Sequence, residues 1–75
     1  MKLTLGERLR NLREDADLTQ SKLGVHVGMT QRKVSYIEQN KIEPNIDDII
    51  AICRFFDISA DYLLGLPTEK HHPER

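Results

Sequence analysis

Polar side chains crowd one short stretch, QRKVSYIEQ at residues 31–39. Read as a helix turning by roughly 100° per residue, it carries Val34 and Ile37 on one side. Gln31, Arg32, Ser35, Tyr36 and Gln39 collect on the other. Gln can pair two-pronged with adenine, Arg with guanine, and Ser with either, while Tyr36 can offer its ring to a thymine methyl or its hydroxyl to a phosphate. Gln31 and Arg32 sit at the helix N-terminus, the end that enters a major groove. Most polar helix faces are merely solvated, so this one gains meaning only from what precedes it and from the charge around it.

Such a face must be held rigidly. Thr19-Gln20 and Thr30-Gln31 each place a hydroxyl at a helix start, where it satisfies an orphaned backbone N–H. The spacing predicts helices over 20–27 and 31–39. Gly28 closes the first in the left-handed conformation, Gly24 lets the two approach, and Met29, Val34 and Ile37 turn inward. Two short helices joined by a tight corner containing Gly form a helix-turn-helix unit. Upstream, Leu5, Leu9, Leu12 and Ala16 mark an amphipathic helix over 5–16, with Thr4 and Glu7 as a capping box and Leu18 as a buried connector. Downstream, Asn40 to Pro44 is a loop. Asn45 caps a helix over 46–56, whose inward positions are read as Ile46, Ile49, Ile50 and Cys53, with Asp47 and Asp48 suited to its positive end. Ser59 caps a short fifth helix, and Leu63, Leu64 and Leu66 close the core. The polar segment 67–75 is expected to be a flexible tail following a single domain over 1–66. No strand pattern is present, so the expected fold class is all-α, a compact five-helix bundle.

Composition narrows the function. The net charge is −1, but it is unevenly distributed. Residues 20–41 hold Lys22, Arg32, Lys33 and Lys41 against Glu38 alone, whereas 42–75 are acidic. The polar face therefore coincides with the one basic segment, which suits a polyanion. Cys53 is the single cysteine, so no disulfide framework exists and a reducing cytoplasm is the expected setting. No apolar run reaches membrane-span length, and the N-terminus lacks a signal-peptide core. His26, His71 and His72 lack partners at zinc-binding spacings, and no nucleophile–base pair or phosphate loop is found. Neither enzyme activity, metal, cofactor nor small-molecule substrate is expected. Phe55 projects away from the inward positions of its helix and, with Ile58, Tyr62, Leu64 and Leu66, forms a candidate dimer surface; the alternative is a partly covered surface aromatic.

The segments LGERLRNLRE at 5–14, LTQSKLGVHVGMTQRKVSYIEQNKIEP at 18–44 and IIAICRFFDISADYLLGL at 49–66 together resemble the Cro/repressor-type helix-turn-helix family, also called xenobiotic-response-element-like regulators. The resemblance covers nearly the whole chain before the tail. It implies a lambda-repressor-like domain that binds double-stranded operator DNA as a homodimer, with helix 31–39 in the major groove, and acts as a transcriptional repressor. By position, Gln31, Arg32, Ser35 and Tyr36 become base readers. Thr19, Gln20, Lys33, Gln39, Lys41 and Asn45 become backbone contacts, with Gln20 also bracing Gln31. Arg13 and Glu38 become a structural ion pair. Departures are Gly24 where the family carries Ala, Asn40 where it carries Gly, and Glu43, Asp47 and Asp48 near the phosphate path, which lower the expected salt dependence. A protein-interaction module and a DNA-binding antitoxin are the rival readings on the same scaffold.

Overall fold

The computed structural model describes residues 2–66, and the expected tail at 67–75 lies outside them. Five helices follow in order: α1 (Leu5–Asp15), α2 (Gln20–Val27), α3 (Gln31–Glu38), α4 (Ile46–Phe56) and α5 (Ala60–Leu64). Among the described residues there is no strand, and no helix is long and apolar enough to cross a membrane.

Every helix start is set by a short polar side chain. Thr4, Thr19, Thr30, Asn45 and Ser59 each accept a hydrogen bond from the backbone N–H three residues on, meeting a donor that the helix itself cannot satisfy. Thr4 and Glu7 form a reciprocal box, with the Thr4 N–H donating to Glu7 Oε1 at 2.8 Å. Asn45 and Asp48 form a second one. At the other ends, Gly28 and Gly65 take φ of 74° and 77°, and Asp17, Asn40 and Asp57 enter the same left-handed region at 58°, 60° and 56°. Asn and Asp tolerate that region because their short side chains can bond locally.

The core is small and aliphatic. Leu9, Leu23, Val27, Val34, Ile37, Ile52 and Leu63 are buried together, and Leu5, Leu12, Leu18, Met29, Ile49, Ala51, Cys53, Phe56 and Ile58 pack around them. Three expectations need correction. Ala16 is exposed and serves as the C-cap of α1. Of Leu63, Leu64 and Leu66 only Leu63 enters the core, since the other two are exposed.

The third correction concerns α4, whose buried edge is rotated from the one expected. Ile46 is 75% exposed and Ile50 43%, whereas Ile52 is fully buried and Asp48 nearly so. Apolar residues surround most of α4, so periodicity fits more than one face. Asp48 can turn inward because its carboxylate accepts from the Asn45 N–H and lies 2.9 Å from Lys33 Nζ. Burying a charge is tolerable only when it is paired in this way.

Close approaches explain the small residues. A β-carbon at Gly24 would run into the Met29 carbonyl, and one at Gly6 would meet the Ile37 and Glu38 carbonyls. Gly24 therefore does more than fit: α2 and the turn approach too closely here for any side chain without a shift. Asn40 also exceeds its expected role as a stand-in for Gly. Its Oδ1 accepts from the Gly6 N–H at 3.2 Å and its Nδ2 donates to Thr4 Oγ1 at 3.0 Å, tying the start of α1 to the end of α3.

Thermal melts should rank wild type above Asn40→Gly, and Asn40→Gly above Asn40→Ala. Glycine keeps the backbone conformation but loses both side-chain bonds, while Ala adds left-handed strain, for a total of about 1–3 kcal/mol. A glycine variant more stable than wild type would mean that the two bonds contribute nothing.

Candidate nucleic-acid interface

The centre of the site is a buried carboxylate. Glu38 projects from the end of α3 with its side chain 0% exposed, beside Val34 and Ile37 on the inward side. From α1, Arg13 meets it with two prongs: Nε donates to Oε2 at 2.6 Å and Nη2 to Oε1 at 3.0 Å. Arg13 Nη1 donates to the Leu18 carbonyl at 2.8 Å, fixing the connector before α2. The hydrogen bond to Glu38 is the main cause that raises the Arg13 pKa further above its ordinary value, against the lowering effect of burial. Arg10 Nε lies 3.8 Å from Glu38 Oε1, on the exposed side. The residues that the family resemblance paired thus do meet, and they lock α1 to α3.

The same carboxylate reaches the surface through an amide chain. Gln20 Nε2, at the start of α2, donates to Glu38 Oε1 at 3.1 Å. Gln31 Nε2, at the start of α3, donates to Gln20 Oε1 at 2.6 Å. Gln31 and Arg32 are exposed, and Tyr36 joins them on the outer side, 39% exposed. Ser35 is half-buried, and its Oγ accepts from Gln39 Nε2 at 2.7 Å. Lys41 Nζ stands 5.8 Å from the centre of the Tyr36 ring, a cation–π distance. Gln31, Arg32, Tyr36 and Lys41 therefore line one solvent-facing side, with Ser35 and Gln39 set between them.

Three residues expected to meet a phosphate path are engaged otherwise. Lys33 bonds to both carboxylate oxygens of Asp48, at 3.0 Å and 2.9 Å; a cation committed to that carboxylate has little charge to offer elsewhere. This pair also removes Asp48 from the negative load placed near the path, leaving Glu43 and Asp47. Thr19 and Asn45 use their side chains as caps, so only the free backbone N–H groups of those first turns face outward. The pairing of Asp48 with Lys33 is what sequence reasoning missed. The signal that could have turned Asp48 inward was its place three residues after Asn45, the spacing of a capping box.

The candidate dimer residues do not share one environment. Phe55, 37% exposed, stacks on His26 of α2 with ring centroids 4.6 Å apart and 17° between planes. Ile58 packs against the core. Tyr62 lies under the Arg8 guanidinium at 5.9 Å. Leu64 lines an open cleft of about 380 Å³ with Leu5, Ile42, Pro44 and Ile49, and Leu66 is exposed. Cys53 is half-buried, and burial pushes its thiol pKa up, the opposite of an activated nucleophile. Among the described residues no group of three or more His, Cys, Asp or Glu is arranged to hold a metal ion.

Replacing Glu38 with Ala leaves the Arg13 guanidinium largely buried and unpaired. The expected cost is about 3–5 kcal/mol, visible as a lowered urea midpoint, and it is a large fraction of the stability of so small a domain. An unchanged midpoint would show that Arg13 finds water or another acceptor.

Comparison with known proteins matches this architecture. A helix-turn-helix domain model matches residues 4–63. Over 60 residues, 80% of this chain, the sequence is 33% identical to YobD, an uncharacterized HTH-type transcriptional regulator of Bacillus subtilis, covering 54% of that protein. It is 35% identical over 60 residues to repressor protein C2 of Salmonella phage P22, covering 28% of it. The chain thus spans about half or less of the length of the curated relatives it matches. Among solved structures, the P22 c2 repressor in complex with synthetic operator 9T superposes with a TM-score of 0.80 at 33% identity, covering 84% of this chain and 96% of that one. A transcriptional regulator from Listeria innocua superposes at 0.81 with 22% identity, over 95% of this chain and 66% of the other, which bears on the fold alone. The chain belongs to the helix-turn-helix domain family, of the Cro/repressor type.

Proposed function

We propose that this domain is a sequence-specific reader of double-stranded DNA that regulates transcription as a repressor, without catalysis, in a bacterial or phage-type cytoplasm. One observation carries the reading: α3 is locked from behind by Val34, Ile37 and Glu38, while Gln31, Arg32 and Tyr36 stand exposed on its outer side. A rigid cylinder with amide, guanidinium and phenol groups facing outward has the shape and chemistry to enter a major groove. The P22 c2 repressor solved with operator DNA shares this fold at 33% identity, which supports the same docking.

In this reading Gln31, Arg32, Tyr36 and the half-buried Ser35 face base edges. Gln20, Gln39, Lys41 and the backbone N–H groups at the starts of α2 and α4, beside Thr19 and Asn45, face phosphates. Lys33 is left out, because Asp48 holds it. A homodimer then places two copies of α3 on the order of 34 Å apart on a palindromic operator. The exposed Phe55, Tyr62, Leu64 and Leu66, with the half-buried Ile58, are its candidate contacts.

The test is selection of bound sequences from a random double-stranded DNA pool, followed by titration at several salt concentrations. A preferred palindrome with salt-sensitive affinity is the expected result, and absence of binding even at low salt overturns the reading. Arg32→Ala should lose about 1–3 kcal/mol and relax preference at one base pair. Lys41→Ala should weaken all sequences alike and reduce the salt slope by about one, whereas Lys33→Ala should leave that slope nearly unchanged.

A further inference from the structure

The amide chain from Glu38 to Gln31 has a direction. A carboxylate only accepts hydrogen bonds. Gln20 must therefore turn its Nε2 toward Glu38, where it stands 3.1 Å from Oε1, and its own Oε1 must face the other way. That oxygen also only accepts, so Gln31 must donate to it through Nε2, at 2.6 Å. Gln31 is left with its Oε1 and one remaining N–H, in an order along the helix that it cannot reverse without breaking the chain. The carboxylate is held in turn by both prongs of Arg13, so neither Glu38 oxygen is free to rotate away. Side-chain amides are otherwise ambivalent, because either end can face a neighbour at almost the same shape.

We propose that the buried Glu38 carboxylate, acting through Gln20, dictates which way round Gln31 presents its amide to DNA, and so serves as a positioning residue for sequence recognition. The inference rests on the DNA-reading function proposed above and adds a cause for selectivity at one base pair. Adenine offers an acceptor at N7 beside a donor at N6 in the major groove, and an amide matches that pair in one order only. A carboxylate that never approaches the DNA thereby sets the order. Oε1 of Glu38 accepts from both Arg13 and Gln20, so the acceptor is removed cleanly only together with its cation. An Arg13→Met/Glu38→Leu variant, a kind of swap that buried ion pairs often tolerate, leaves Gln20 free to turn either end of its amide toward Gln31.

The experiment compares base preferences of the whole chain by titrating single-base-pair variants of its selected operator, each normalised to the preferred site. Gln31→Ala first locates the base pair that Gln31 reads. At that pair, the Arg13→Met/Glu38→Leu variant and Gln20→Ala should each reduce discrimination by about tenfold, with other positions unchanged. Adding Gln20→Ala to that paired variant should bring no further loss there, as expected for residues acting in one chain. A purely structural role for Glu38 instead lowers the melting point and weakens all operator variants equally, and that outcome overturns the proposal while leaving the DNA-reading function intact. If the Arg13→Met/Glu38→Leu variant does not fold, Gln20→Ala decides alone, since unchanged preference at the Gln31 base pair refutes the chain. A wild-type protein with no preference at any position fails the functional reading and the inference together.

Discussion

A single buried carboxylate is the constraint on which the recognition unit depends. Glu38 joins α3 to α1 through Arg13 and to α2 through Gln20, and Arg13 also holds the connector at Leu18. Removing two charges from water costs several kcal/mol, which their attraction recovers only with good geometry and additional hydrogen bonds. Both conditions are met, since the pairing is two-pronged and the remaining oxygen capacity is taken by an amide. The gain lies less in net stability than in register: α1, α2 and α3 can satisfy these groups in one relative placement.

The same logic recurs on the other flank. Asp48 caps its own helix by accepting from the Asn45 N–H and also binds Lys33 of α3. This second ion pair links the start of α4 to the recognition helix. Together the two pairs hold α3 from both neighbours and leave its outer side to solvent. A core with no large aromatic at its centre, built around Leu9, Leu23, Val34, Ile37, Ile52 and Leu63, gains definition from these polar clamps. The clamps also govern charge: Lys33 and Asp48 cancel, so the positive character of the outer side narrows to Arg32 and Lys41, with Lys22 beyond on α2.

Much of the architecture was legible because its signals are local. Caps at Thr4, Thr19, Thr30, Asn45 and Ser59, the left-handed Gly28 and the loop before Pro44 each act within a few residues. The first four helices therefore lie within a residue of their expected bounds, and the fifth starts directly after its expected cap, Ser59. The outer face of α3 was legible for the same reason: two apolar residues three apart define its inside. The resemblance supplied the Arg13–Glu38 partnership and the Gln20 brace, which bring together residues up to 25 positions apart in sequence.

What the chain determined by itself, then, is where helices begin and end and which side of α3 is polar, because capping and periodicity operate over three or four residues. Tertiary structure alone decided which edge of α4 is buried, since Ile46, Ile50 and Ile52 have nearly equal claims until Asp48 finds Lys33. It likewise decided that Gly24 and Gly6 face carbonyls of other segments, that Asn40 ties α1 to α3, and that the α5 leucines divide between core and surface. Each of these depends on what lies across the fold from the residue, and spacing along the chain does not encode that.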